Sequence, residues 1–436
     1  MSEQPGGGGS PGSGGWVRHA GVAGAAIGLL AAGVAVERLT VNRTVRRRAR
    51  AALDAAGPYG SLRGTPGTAV AADGTELHYE IDEIDEIDEA DEADETDGEL
   101  DGADAPGAAD ATPGVTVVFS HGYCLSQDSW HFQRAALRGA VRSVYWDQRS
   151  HGRSARAAAG EPVSIDRLGR DLKAVLDAAV PEGPVVLVGH SMGGMTMMAL
   201  ADQYPGFVAE RVAGVAFIGT SAGGLTEVTY GLPAVGARAA RRVLPGVLRA
   251  LAAQTELVER GRRATADLFA GLVRRYSFGS PGDVDPGVAR FAERLIEAVP
   301  VDVVADFYPA FAEHEKAAAL PYFGDVPALV LAGDRDQLTP HGHSERIAAA
   351  LPGATLVVVE NAGHLVTLER PELVDEQLAG LLARTRTIRS HGSTAPPDSP
   401  PAAGSSAADD PAADNPSADT PAPGAGRRSR ARRRHR

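Results

Sequence analysis

A single cysteine, Cys124, stands in 436 residues. That excludes an intrachain disulfide and any cysteine-based metal site, and it fits a reducing compartment. Basic residues are absent from Glu80 to Asp110, a segment with sixteen Asp or Glu side chains. The net charge of −13 comes from this segment, because elsewhere 43 basic residues face 40 acidic ones, a balance of +3. The protein is therefore a near-neutral chain carrying an acidic stretch rather than an acidic globule. Within that stretch Ile-Asp-Glu and Ala-Asp-Glu repeat. One isoleucine per three residues gives no wide buried face beside so many like charges. Residues 81–111 are therefore expected to form a solvated, low-complexity insertion between two strands. The stretch lacks the ligand spacing of an EF-hand loop, so no calcium site is expected. Arg427 to Arg436 contains seven arginines, but no folded reader motif accompanies them, and a nucleic-acid partner is not expected.

Long apolar runs are also scarce. Ala20 to Val36 is uncharged for seventeen residues, near the lower limit for a bilayer span of about twenty. Arg38, Arg43, Arg46, Arg47, Arg48 and Arg50 follow it. Positive charge on that flank favours a single membrane anchor with the C-terminal side in the cytoplasm. A cleaved signal peptide and a peripheral helix are the alternatives. Residues 1–52 are thus read as a disordered N-terminus with anchor and basic flank. Residues 387–436, rich in Pro, Ala, Ser and Asp, are read as a disordered tail.

Between these ends the pattern is regular. The Asp73-Gly74 pair reads as a hairpin turn between two strands in Thr68–Glu80. Further strands are expected at Val115–Phe119, Val141–Trp146, Pro184–Val188, Val212–Ile218, Ala328–Leu331 and Leu356–Val359. Helical spacing separates them, as in Ile165, Leu168, Leu172, Val175, Leu176 and Ala179, with Ser164 placed as the cap. A second helix starts at Pro371 and runs through Leu381. Strands alternating with helices predict an α/β fold, a mostly parallel sheet covered on both faces. The alternation breaks at 221–325, which is helical in character and reads as a cap inserted between core segments 53–220 and 326–386.

Gly189-His190-Ser191-Met192-Gly193 joins an apolar strand to an apolar helix. A Gly-x-Ser-x-Gly turn in that context is a nucleophile elbow, with glycines where the turn is too tight for side chains. A serine hydroxyl needs an imidazole base, and the base needs a carboxylate to orient it. Leu329–Gly333 runs into Asp334 and Asp336, and Leu356–Glu360 runs into His364. Each lies just past a strand's C-terminal end, where sites assemble in parallel sheets.

These residues resemble the α/β-hydrolase family, which carries Ser, Asp and His in that order. The resemblance covers roughly Leu62 to Leu382, apart from the acidic insertion, and weakens across the cap. It implies an eight-stranded sheet with an inserted helical cap, and a catalytic set of Ser191, Asp336 and His364, with Asp334 as a turn residue. His121-Gly122-Tyr123 resembles the family's oxyanion loop, and the implied donors are the backbone N–H groups of Tyr123 and Met192. Asp147–Ser154 resembles a structural segment of the family, with Ser150 in place of a glycine. Cys124 and the methionines after Met192 are read as packing residues, and His341 and His343 as surface residues. The expected activity is cleavage of a carboxylic ester or related acyl bond on a small or medium apolar substrate, with no cofactor and no metal. A perhydrolase or haloperoxidase using the same three residues, or a non-catalytic binding protein on this fold, is the alternative.

Overall fold

The computed structural model describes residues 59–85, 114–157, 162–229 and 266–392, with scattered positions between 233 and 250. All lie in one unit, Met1–Gly392, and the second unit, Ser393–Arg436, lies outside the described residues. The expected anchor at Ala20–Val36 also lies outside them, as does most of the acidic insertion. Among the described residues no helix is long and apolar enough to cross a membrane.

The chain opens with a hairpin, β1 (Thr65–Val70) and β2 (Glu76–Asp82). Its turn is closed by Asp73, whose carboxylate accepts the Thr75 N–H at 3.1 Å, and by Gly74 at φ 83°. Then follow β3 (Thr116–Ser120), α1 (His131–Leu137), β4 (Ser143–Trp146), α2 (Ile165–Ala179), β5 (Val185–His190), α3 (Met192–Gln203), α4 (Pro205–Arg211) and β6 (Val212–Ile218). After the cap come β7 (Ala328–Gly333), a helix at Gly342–Ala350, β8 (Thr355–Val359), a short helix at Val366–Glu369 and a long one at Pro371–Gly392. The eight strands form one sheet in the order β1-β2-β4-β3-β5-β6-β7-β8. β2 runs antiparallel to both its neighbours, and the pairs from β4 to β8 are parallel.

Alternation of side chains explains how both faces are covered. In β5, Val185 and Leu187 join the apolar cluster that holds Leu172 and Leu176 of α2 and Met197 and Leu200 of α3. Val186 and Val188 join the opposite cluster, with Phe119, Trp130, Val374, Leu378 and Leu381. Every residue of β3, β4, β5 and β7 is buried, which is why these strands read as unbroken apolar runs, whereas edge strand β8 alternates. Ser164 caps α2 as its position predicts, its hydroxyl accepting the Arg167 N–H at 3.2 Å.

The acidic insertion starts later than residue 81. Ile81 and Asp82 stay in the ladder with β4, and Ile84 still bridges to Gly139. Glu80 and Asp82 are buried because Arg134 of α1 meets both, Asp82 through a two-pronged contact at 2.7 and 2.8 Å and Glu80 at 2.8 Å. A fixed cation thus draws two carboxylates of an otherwise repetitive segment into the core. The C-terminal helix likewise continues to Gly392, six residues past the expected end of the core.

Between β6 and β7 the described part of the cap includes α5 (Ala266–Ser277), α6 (Pro286–Glu297) and α7 (Val301–Ala312). Asp285 and Pro286 start α6, the Asp285 carboxylate accepting the N–H of Gly287 and Val288. Val299, Val303 and Phe307 share a cluster with Met192 and Met195 of the core, and Phe278 and Phe291 share another with Leu125 and Leu365. In chain order the helices after the cap are α8 (Gly342–Ala350), α9 (Val366–Glu369) and α10 (Pro371–Gly392).

Arg134→Met leaves Asp82 buried without its cation and takes from Glu80 one of its two close arginines, Arg153 remaining at 2.9 Å. It is expected to lower unfolding free energy by about 3–5 kcal/mol. Urea denaturation measures this, and a loss of a few tenths would contradict the pairing described.

Candidate active site

Parallel strands bring four loops to one edge of the sheet, those after β3, β5, β7 and β8. The tightest is at Ser191, whose backbone sits at φ 51°, ψ −116°. Strain of this kind costs on the order of 1–3 kcal/mol and persists only where neighbours hold it. The Ser191 N–H donates to Ile218 of β6 at 2.9 Å, and the Thr220 hydroxyl donates to the Ser191 carbonyl at 2.7 Å. The flanking glycines are required by space. A Cβ on Gly193 would lie 2.0 Å from the Ser120 carbonyl oxygen, and one on Gly189 would lie 2.6 Å from the Gly193 backbone.

Ser191, Asp336 and His364 meet in one hydrogen-bonded chain. His364 Nδ1 lies 2.8 Å from Asp336 Oδ2, and His364 Nε2 lies 3.0 Å from Ser191 Oγ. Asp336 is also held by the N–H groups of Leu338 and Thr339 on its other oxygen, at 2.8 and 2.9 Å. Burial opposes its charge, but His364 and the Thr339 contacts outweigh burial and hold its carboxyl below the usual range. With an ionised Asp336 at Nδ1, the proton of the imidazole sits there and the Nε2 lone pair faces the serine hydroxyl. Such a chain can take a proton from Ser191 as its oxygen attacks an acyl carbon.

Asp334 takes the other place. Its carboxylate accepts the Ala362 N–H at 3.3 Å, so it ties the β7 and β8 loops together rather than bonding within its own turn. Across the cleft, Gly122 admits no side chain, since a Cβ there would lie 2.7 Å from His190 Nδ1. His121 fixes this loop, donating from Nδ1 to the Gly122 carbonyl at 2.7 Å and accepting the Gln148 N–H at Nε2 at 2.9 Å. Among the described residues, the N–H groups of Tyr123 and Met192 have no protein acceptor. Cys124 is buried at φ 58°, and Met195, Met197 and Met198 pack in the core as expected. Asp147–Ser154 braces the site from below. Arg149 makes a buried pair with Asp171 at 2.5 and 2.6 Å, and Ser150, at φ 63°, adopts the backbone of the glycine it replaces.

Several contributors carry weaker sequence signals. Thr339 places its hydroxyl 2.8 Å from Asp336 Oδ2 and 2.8 Å from the Gly219 carbonyl; its signal is its position three residues after Asp336. His190, the variable residue of the elbow, donates from Nε2 to the His364 carbonyl at 2.9 Å. Glu369 accepts N–H groups of Gly363, Gly279 and Ser280, joining the His364 loop to the cap, and nothing local announces that. His343 corrects the expectation of a surface residue. It is buried, with Nδ1 2.7 Å from both the Ser221 hydroxyl and the Arg346 guanidinium, because α8 starts where the chain leaves β6 for the cap. Among the described residues no cluster of His, Cys, Asp or Glu is arranged to hold a metal ion.

Three buried histidines near the site stay uncharged. Burial pushes His121 and His190 down to about 3 and His151 to about 4. Neighbouring imidazoles add to the effect at His121 and His190.

Over residues 115–371 the sequence matches the α/β hydrolase fold family, and the chain belongs to that family. It is 27% identical over 273 residues to the dihydrolipoyllysine-residue acetyltransferase component of the acetoin cleaving system of Pseudomonas putida. That match covers 62% of this chain and 64% of the relative, so the chain spans less than two thirds of that protein. It is 28% identical over 289 residues to a non-heme haloperoxidase of Rhodococcus erythropolis, covering 62% and 92% of the two. A thermophilic esterase from Thermogutta terrifontis shares the fold, with a TM-score of 0.53 at 23% identity over 73% of this chain and 98% of that one.

The depressed histidines set the direction of acid unfolding. Below pH 6.5 the unfolded rings take up protons that the folded rings refuse. Their stabilisation is complete above that pH and falls as pH drops towards 4, by about 1.4 kcal/mol per unit for each ring. Urea midpoints at pH 7.5 and pH 5 are expected to differ clearly, the acid value lower. Equal midpoints would contradict the buried neutral state.

Proposed function

We propose that this protein is a serine hydrolase that cleaves a carboxylic ester, or a related acyl bond, through an acyl-enzyme on Ser191. The observation that carries this is the Asp336–His364–Ser191 chain, with contacts of 2.8 and 3.0 Å. The Ser191 oxygen attacks the acyl carbon while its proton passes to His364 Nε2. The tetrahedral oxyanion is received by the N–H groups of Tyr123 and Met192. As the bond to the leaving group breaks, His364 returns the proton to the departing oxygen. Water, deprotonated by the same nitrogen, then adds to the acyl carbon, and Ser191 leaves with the proton. Asp336 keeps the imidazole in the required tautomer and stabilises its charged form throughout.

The apolar cluster beside the elbow, formed by Met192, Met195, Val299, Val303 and Phe307, supports a small or medium apolar acyl group as the substrate. The haloperoxidase relative supports a second reading, in which hydrogen peroxide replaces water and the acyl-enzyme yields a peracid and free Ser191. A purely binding role is disfavoured because the three side chains remain in one hydrogen-bonded chain.

Nitrophenyl esters of increasing acyl length, assayed with and without peroxide, test both readings. Ser191→Ala is expected to lower kcat by about 10⁴-fold or more, and Asp336→Asn by about 10⁴-fold, with both variants folded. Turnover that survives Ser191→Ala would refute the mechanism.

A further inference from the structure

The loop after β3 carries a tether to the cap. Tyr123 reaches away from the core, and its hydroxyl donates to the Val304 carbonyl of α7 at 2.6 Å. Its ring stacks on Phe307, with centroids 6.1 Å apart and planes at 23°, and meets Phe311 edge-on at 4.9 Å. The rest of the loop is held from below. The Cys124 N–H donates to His151 Nε2 at 3.2 Å, and the Leu125 N–H donates to the Gly122 carbonyl at 3.2 Å. The Gln148 side chain donates to the His121 carbonyl at 2.5 Å. Tyr123 therefore lies between the core and the cap: its ring also meets His151 edge-on at 6.1 Å, its hydroxyl is bound to α7, and its main-chain N–H has no protein acceptor among the described residues. Burial also raises the phenol well above its ordinary value, so it stays a proton donor at every working pH.

We propose that Tyr123 is a positioning residue whose hydroxyl, bound to the Val304 carbonyl, sets the place of its own main-chain N–H as an oxyanion donor, so that the donor is in register only when α7 of the cap is seated. This rests on the acyl-transfer reading above. Losing the hydroxyl leaves the donor present but loosely aimed. An oxyanion donor acts only when fixed where charge develops, so loosening it lowers the rate of the chemical step and leaves ground-state binding alone. α7 is also held by the Arg156–Asp302 ion pair and by packing of Val303 and Phe307 on Met192, Met195, Cys124 and the His151 ring, so the hydroxyl bond is the one contact that a Tyr123→Phe change removes by itself.

The test is Tyr123→Phe, which keeps the ring and its stacking and removes the hydroxyl. Three readouts are needed: kcat and KM on a nitrophenyl ester, the inhibition constant of a trifluoromethyl ketone that forms a tetrahedral adduct, and the thermal midpoint. A fall in kcat of roughly 10-fold with KM unchanged, matched by an equal weakening of the ketone, is the expected result. A merely structural role would move the midpoint without matching kcat to the ketone. Unchanged kcat and ketone affinity, with the wild type active and Ser191→Ala inactive, would overturn this inference and leave the hydrolase reading intact. A wild type that neither turns over esters nor binds the ketone would overturn the hydrolase reading, and this inference with it. If Tyr123→Phe does not fold, Phe311→Leu, which loosens the same ring from the cap side, is expected to give the same matched loss; no loss would overturn the proposal.

Discussion

The backbone of Ser191, at φ 51° and ψ −116°, is the constraint from which the site follows. A side chain held there projects from the sheet edge, but only if the chain on both sides has no Cβ to place. Gly189 and Gly193 meet that need against the α3 backbone and the Ser120 carbonyl. The strain is held by β6, which accepts the serine N–H at Ile218 and supplies the Thr220 hydroxyl to its carbonyl. The elbow therefore depends on the β5–β6 pairing, and through it on the buried sheet that covers both faces of those strands.

Electrostatics then separates one histidine from the others. His121, His151 and His190 are buried without a carboxylate and serve as neutral rings that brace main-chain groups. His364 alone of these four meets a carboxylate, Asp336. The carboxylate in contact with His364 is Asp336, at 2.8 Å on Nδ1. The same burial that makes the bracing histidines neutral makes the fold sensitive to acid, so stability and site electrostatics share one cause.

Local signals made most of the core legible in the sequence. Unbroken apolar runs mark the central strands, Ser164 marks the start of a helix, and Gly-x-Ser-x-Gly between strand and helix marks the elbow. Asp336 and His364 were visible because each follows a strand end. What could not be read depends on distant partners. Asp82 reads as part of a charged repeat, yet Arg134, 52 residues beyond it, draws it into the core, and Glu80 at the strand end is held by the same Arg134 together with Arg153. His343 is buried by a chain segment that arrives 122 residues earlier at Ser221. Glu369 accepts backbone N–H groups of the cap and Tyr123 donates to a cap carbonyl, and a backbone partner has no signature in a sequence. The cap itself offered little pattern beyond helical spacing, and the expected anchor at Ala20–Val36 lies outside the described residues.

The central claim is that Ser191 is an activated nucleophile whose Oγ forms a covalent bond with an electrophile. Its most direct measurement is intact-protein and peptide mass spectrometry after brief exposure to a fluorophosphonate. One adduct per chain is expected, located on the peptide containing Ser191. An unmodified protein, or an adduct on another residue with Ser191 untouched, would contradict it.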